Sequence, residues 1–159
     1  MDVSVPSSPT DLESVISSAR TVITELRKLE EEILNLEVEL TDLRTQVEGS
    51  TKKAMTVEFK QEVLSNLDKT LHGVKTYLSN LDKIIDHNCG TFPFLTVLSE
   101  ASILPRALED GDSDIVEEFN KYLQIKKKSI EEDLVVIDTG TKMIAAAKDY
   151  MAVVKRIYL

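Results

Sequence analysis

An unbroken heptad pattern in the first third of the chain is the feature that most constrains its fold. Eleven apolar residues follow one another at alternating steps of three and four, with no Gly or Pro between them. These residues are Leu12, Val15, Ala19, Val22, Leu26, Leu29, Ile33, Leu36, Leu40, Leu43 and Val47. A period of about 3.5 residues predicts a long helix whose apolar seam packs against partner helices in a left-handed supercoil. We expect this helix over residues 9–48 and predict that its seam is an interaction surface.

A second heptad pattern follows after a short connection and predicts a second long helix over residues 51–88. Its apolar positions are Val57, Leu64, Leu67, Leu71, Val74, Leu78, Leu81 and Ile85. Because the connection is short, the two helices should form a long antiparallel α-hairpin. Gly90 and Pro93 then predict a break in the chain, with short helices and a loop over residues 92–111.

The last segment predicts a third long helix over residues 113–159, although its heptad pattern is less regular. Asp112 or Ser113 is suited to cap its start. Apolar residues from Val116 to Tyr158 keep one heptad frame, but Lys126, Asp133 and Gly140 occupy the same frame. Because glycine has a low helix propensity, we predict a kink near residue 140.

These patterns together predict an all-α fold, an elongated helical bundle or coiled coil. The chain has only 5 Gly and 4 Pro in 159 residues, whereas a β-sandwich or barrel needs frequent turns. We predict a disordered lead-in over residues 1–8 and a single helical domain over residues 9–159.

Composition argues against several classes of function. A net charge of −9 disfavours direct nucleic-acid binding, which needs a basic surface. Two histidines and one cysteine, Cys89, give no zinc-ligand spacing and no catalytic pairing. No apolar stretch is long enough for a transmembrane helix. We therefore expect no catalytic residues, no cofactor, no metal and no transmembrane segment.

One short stretch resembles a catalytic motif. Residues 135–141, Val-Val-Ile-Asp-Thr-Gly-Thr, resemble the loop that carries the catalytic aspartate of aspartic proteases. That resemblance would imply a β-rich chain in which two such aspartates share a proton. The surrounding residues have helical periodicity instead, so we interpret Asp138 as part of a helix, in a structural role.

Two further features concern contacts and regulation. Ser8-Pro9 matches the minimal site of proline-directed kinases, so Ser8 is a candidate for phosphorylation. The C-terminal 17 residues are apolar on most faces, and we predict that Tyr150, Val153 and Ile157 contact a partner.

The function that these patterns favour is a non-enzymatic scaffold or adaptor subunit of a larger cytoskeletal, kinetochore or vesicle-tethering assembly. The alternative is a self-assembling structural or viral accessory homo-oligomer. In either case the partners are proteins, whether other helical chains or further copies of this one. We expect a cytoplasmic or nuclear location, since a single cysteine cannot form an internal disulfide.

Overall fold

The computed structural model describes residues 9–52 and 55–159, and within these ranges the chain is an all-α helical bundle without strands. Its helices are α1 (Pro9–Glu48), α2 (Val57–Glu100), α3 (Ile103–Asp110) and α4 (Ser113–Tyr158). The limits of α1 are those that the heptad pattern predicts. The predicted lead-in, residues 1–8, lies outside the described residues, and so does Ser8.

The helices contribute to two compact units. The first unit contains the described residues up to Leu26 together with Ile84–Val136. The second contains Arg27–Lys83 and Ile137–Leu159. The expectation of one helical domain stays a prediction.

In the first unit, side-chain contacts show how the helices run. On α1 and α2, the Ser99 hydroxyl donates to the Glu13 carboxylate at 2.7 Å, and the Arg20 guanidinium lies 5.6 Å from the Phe92 ring centroid. From the first contact to the second, the residue number rises on α1 and falls on α2, so these segments are antiparallel. The α2 and α4 segments are antiparallel by the same criterion, since Asn88 contacts Asp133 whereas Phe94 contacts Tyr122.

In the second unit, α1 and α2 are joined by a short connection and are also antiparallel. Arg44 Nε donates to Asp68 Oδ1 at 2.5 Å, and nearer the connection Lys60 Nζ donates to the Ser50 carbonyl at 3.0 Å. The end of α4 lies beside this connection, because the Ser50 hydroxyl donates to the Tyr158 carbonyl at 3.1 Å.

Local hydrogen bonds explain where the helices begin and end. The Thr56 hydroxyl accepts from the Phe59 N–H at 3.1 Å and caps α2, while Asp112 Oδ1 accepts from the Ile115 N–H at 3.3 Å and caps α4. Gly111 ends α3 in the left-handed region, with φ of 72°. A glycine suits this position because a Cβ would be strained there.

The predicted break after residue 88 does not occur, because α2 continues to Glu100 with Pro93 inside it. Gly90 and Pro93 are local signals against a helix, but Leu95 and Leu98 beyond them are buried and extend the apolar pattern. The stabilisation gained by burying these leucines outweighs the low helix propensity of Gly90 and Pro93. Of the short helices and loop predicted over residues 92–111, the structure has one short helix, α3, which follows a turn at residues 101–102.

The three irregular positions of α4 lie in the core rather than outside it. Lys126 and Asp133 are buried in the first unit, and Gly140 is buried in the second. The helix is continuous through Gly140, where an added Cβ would lie 2.5 Å from the Tyr77 hydroxyl oxygen and 2.8 Å from Leu29 Cδ2. The heptad frame therefore runs through the whole helix, and its non-apolar members are core residues.

Candidate interaction site

The first unit has an open groove between α3 and α4. Only Gly111 and Asp112 join the two helices, so α3 and α4 diverge from a tight turn. The space between them is about 950 Å³. The groove is lined by Ala107, Leu108, Gly111, Asp112, Ser113, Val116, Glu117, Asn120, Lys121, Gln124 and Ile125. We call this surface the α3–α4 groove.

Large apolar side chains of the α3–α4 groove are accessible to solvent. Leu108 is 46% exposed and Ile125 is 70% exposed, while Val116 is half-buried between them in sequence. Ala107 is buried at the base. Exposed leucine and isoleucine side chains that line one concave surface are typical of a site that binds another apolar surface.

A smaller apolar groove of about 380 Å³ lies between the end of α2 and α4. Its lining includes Phe94, Leu98, Ile115, Phe119 and Tyr122. The rings of Phe94 and Tyr122 are 5.3 Å apart in an edge-to-face arrangement, and burial raises the pKa of Tyr122 above its usual 10.0. Phe94 and Ile115 are exposed, so the α2–α4 groove also offers aromatic and aliphatic contacts.

The turn that joins α3 and α4 is strongly acidic. Residues 109–118 include six acidic residues and no basic residue, and all six are exposed. We call them the acidic rim: Glu109, Asp110, Asp112, Asp114, Glu117 and Glu118. One lysine pairs with the rim: Lys121 Nζ lies 3.5 Å from Glu117 and 3.4 Å from Glu118. Hydrogen bonding to Glu118 is the main cause of the raised pKa of Lys121, so this lysine stays protonated while the rim keeps a negative balance.

A buried polar cluster lies elsewhere in the first unit, between α2 and α4. The Asn88 amide donates to Asp133 Oδ2 at 3.0 Å and to the Ile84 carbonyl at 2.8 Å. Lys126 Nζ donates to the Thr91 hydroxyl at 2.9 Å. Burial lowers the pKa of Lys126, and the charge of Asp133 opposes this shift.

This cluster has the geometry of a structural contact rather than of a binding site. Asn88, Lys126 and Asp133 are buried, and each is held by a partner on the facing helix or on its own. The exception is Asn88 Oδ1, which has no hydrogen-bond partner among the described residues. Polar pairs at seam positions between helices are best known for fixing helix register.

The residues predicted to form the α1 seam are buried within the chain itself. The predicted set comprises Leu12, Val15, Val22, Leu26, Leu29, Ile33, Leu36, Leu40 and Leu43, and each is at most 4% exposed. Burial by the chain's own helices accounts for the heptad pattern without a second molecule. These side chains are therefore core residues in this structure and are not accessible as a docking surface.

The predicted C-terminal contacts are partly accessible. Val153 is exposed, and Tyr150 and Ile157 are half-buried. Between them, Met151, Val154 and Tyr158 are buried in the second unit, along with other residues of the α4 frame. The apolar C-terminal run is thus core along one stripe and accessible beside it, and Val153 is the most exposed of the predicted contact residues.

Sequence reasoning missed the α3–α4 groove, although one signal was present. Ile125 is apolar but falls outside the heptad frame of α4, which passes through Phe119 and Leu123. On α3, Ala107 is one of the buried residues, so the adjacent Leu108 lies off the buried face. Apolar residues off the frame in a charged segment indicate an exposed apolar surface.

The stretch that resembles an aspartic protease loop is helical. It lies within α4, and Asp138 is exposed and pairs with Lys142 at 2.9 Å, one helical turn away. Among the described residues, no three His, Cys, Asp or Glu side chains form a group that could hold a metal ion. Nor is any described helix long and apolar enough to cross a membrane.

Comparison with known proteins gives no match to a family model, to a curated protein or to a solved structure.

Proposed function

We propose that this chain is a non-enzymatic scaffold or adaptor subunit that binds other proteins in a larger assembly. The observation that supports this proposal most directly is the α3–α4 groove, with exposed Leu108 and Ile125 beside an acidic rim. Exposed aliphatic side chains that line one open groove next to charged residues favour contact with a protein partner.

The proposed role needs no chemistry from the grooves. The polar lining of the α3–α4 groove consists of exposed or half-buried side chains on the surface of α3 and α4. Its one lysine is engaged with two glutamates. A nucleophile or general base would need a partner that orients and activates it, whereas an apolar floor with charged edges suits recognition.

A cytoplasmic or nuclear location, and an assembly of the cytoskeletal, kinetochore or vesicle-tethering type, belong to the same proposal. They rest on the acidic helical composition and on the single cysteine.

Affinity purification from the native source, with quantitative mass spectrometry of the bound proteins, tests the proposal. We expect at least one other protein to co-purify in a constant molar ratio through a second, size-based separation. Recovery of the chain without any such protein would contradict a subunit role. A discrete oligomer of this chain alone, by light scattering, would favour the self-assembling alternative instead.

A further inference from the structure

We propose that the α3–α4 groove binds a basic amphipathic helix of a partner protein. This inference rests on the proposed function, since it names the partner's chemistry. The segment of α4 that lines the groove extends from Ser113 to Ile125, which is about 18 Å of helix, or roughly three turns. A partner helix of similar length can lie along it, which is the helix-in-groove mode of recognition.

Apolar contacts would supply the affinity of this interaction. Leu108 projects from α3 and Val116 and Ile125 from α4, so the groove presents aliphatic side chains on both of its sides. An amphipathic helix inserts apolar residues at steps of three and four into such a groove. The helix excludes water from Leu108 and Ile125, the two most exposed apolar residues of the lining.

Charge selects a basic helix over an acidic one. The acidic rim lies at the turn at one end of the groove. Two of its members, Asp112 and Glu117, line the groove together with one base, Lys121, so acids outnumber bases there. Lys and Arg side chains on the polar face of the partner would meet these carboxylates, whereas a helix rich in Glu would be repelled. The same charge disfavours nucleic acid and anionic lipid surfaces as occupants.

The chain provides matched controls for both parts of the proposal. Leu34 and Val38 are exposed aliphatic residues on α1, outside the first unit. Glu31, Glu32 and Glu39 are exposed acids on the same helix. Replacing two aliphatic residues by Ser removes a similar amount of apolar surface in the groove and on α1. Replacing three acids by their amides changes the net charge equally at both places.

The test uses a fluorescent peptide of about 14 residues, all Leu or Lys, in which all leucines lie on one helical face. A control peptide has the same sequence with Glu in place of every Lys. Binding to the full chain is measured by fluorescence anisotropy. We expect the Lys peptide to bind and the Glu peptide not to bind. Two groove variants, Leu108→Ser/Ile125→Ser and Glu109→Gln/Asp110→Asn/Glu117→Gln, should each weaken binding roughly tenfold. The α1 controls, Leu34→Ser/Val38→Ser and Glu31→Gln/Glu32→Gln/Glu39→Gln, should change it less than about twofold.

Several results would overturn the inference. Equal losses in the groove and α1 variants would show that the peptide binds to acidic surface in general. Equal binding of the Glu peptide would remove the charge argument. An oligomer that dissociates in the Leu108→Ser/Ile125→Ser variant would identify a second copy of this chain as the occupant. A native partner that still co-purifies with both groove variants would leave the proposed function standing while refuting this assignment of the groove.

Circular dichroism of all four variants excludes misfolding as the cause of a loss. The substituted residues are exposed, so we expect helical spectra and unfolding midpoints close to those of the wild type.

Discussion

Two glycines in helices of the second unit should respond in opposite directions to the same substitution. Gly73 is exposed on α2, and an added Cβ would meet no atom within 4 Å. Gly140 is buried on α4, and an added Cβ would lie 2.5 Å from the Tyr77 hydroxyl oxygen. Gly73→Ala tests helix propensity alone, whereas Gly140→Ala adds a packing conflict.

The expected magnitudes follow from these distances. Replacing a helical Gly by Ala stabilises a helix by about 1 kcal/mol, and this gain applies to both positions. Overpacking a closely packed core costs about 1–3 kcal/mol, and only Gly140→Ala incurs it, against Tyr77 and Leu29. The free energies of unfolding of the two variants should therefore differ by about 1–3 kcal/mol, with Gly73→Ala the more stable.

Urea unfolding followed by circular dichroism at the helix band measures the difference. For a chain of this size, 1 kcal/mol corresponds to a shift of about 2–4 °C in the thermal midpoint, which gives an independent check. Tyr77→Phe in the Gly140→Ala background removes the atom nearest the new methyl group and should restore part of the lost stability. If Gly140→Ala stabilises the protein as much as Gly73→Ala does, the close approach of α4 to Tyr77 is refuted.

Three further predictions concern the core, the buried lysine and the C-terminal surface. Leu36 is 1% exposed and Leu34 is 47% exposed, so Leu36→Ala should lower the free energy of unfolding by about 2–5 kcal/mol and Leu34→Ala by less than about 1 kcal/mol. Equal losses in urea titrations would refute the burial of the α1 seam. Burial lowers the pKa of Lys126 below its usual 10.5, so the folded state releases this proton before the unfolded state does. The stability of the wild type relative to Lys126→Met should therefore rise as the pH increases from neutral toward 10.5, and parallel pH profiles would contradict this. Val153→Asp should leave circular dichroism unchanged and reduce partner or self-association in light scattering; an unchanged assembly would remove Val153 from the contact surface.

The long heptad helices were predictable from sequence because their signal is repeated many times. In α1 each seam residue from Leu12 to Val47 supports the same frame, and the observed limits, Pro9 and Glu48, lie just outside it. The end of α2 was not predictable from local signals, because Gly90 and Pro93 each favour a break. Only the burial of Leu95 and Leu98 against other segments overrides them, and that burial depends on tertiary structure.

The candidate site was harder to predict than the fold. Its residues, such as Leu108 and Ile125, have no pattern of their own, and the groove exists only because α3 and α4 diverge from a two-residue turn. The direction of α3 depends on Ser102 and Gly111, which both adopt the left-handed region. For Gly111 the sequence favours that conformation, whereas for Ser102 it does not.

The three non-apolar residues in the α4 frame also determine which alignment of the helices is allowed. A perfectly regular seam would match its neighbours equally well after sliding by one heptad, about 10 Å along the helix. Such a slide would separate Asp133 from Asn88 and Lys126 from Thr91, leaving charges buried without partners. It would also move Gly140 away from Tyr77 and press a larger side chain against that ring. The apolar repeats provide most of the packing between helices. Lys126, Asp133 and Gly140 select the native register from several alignments that the apolar residues alone would allow.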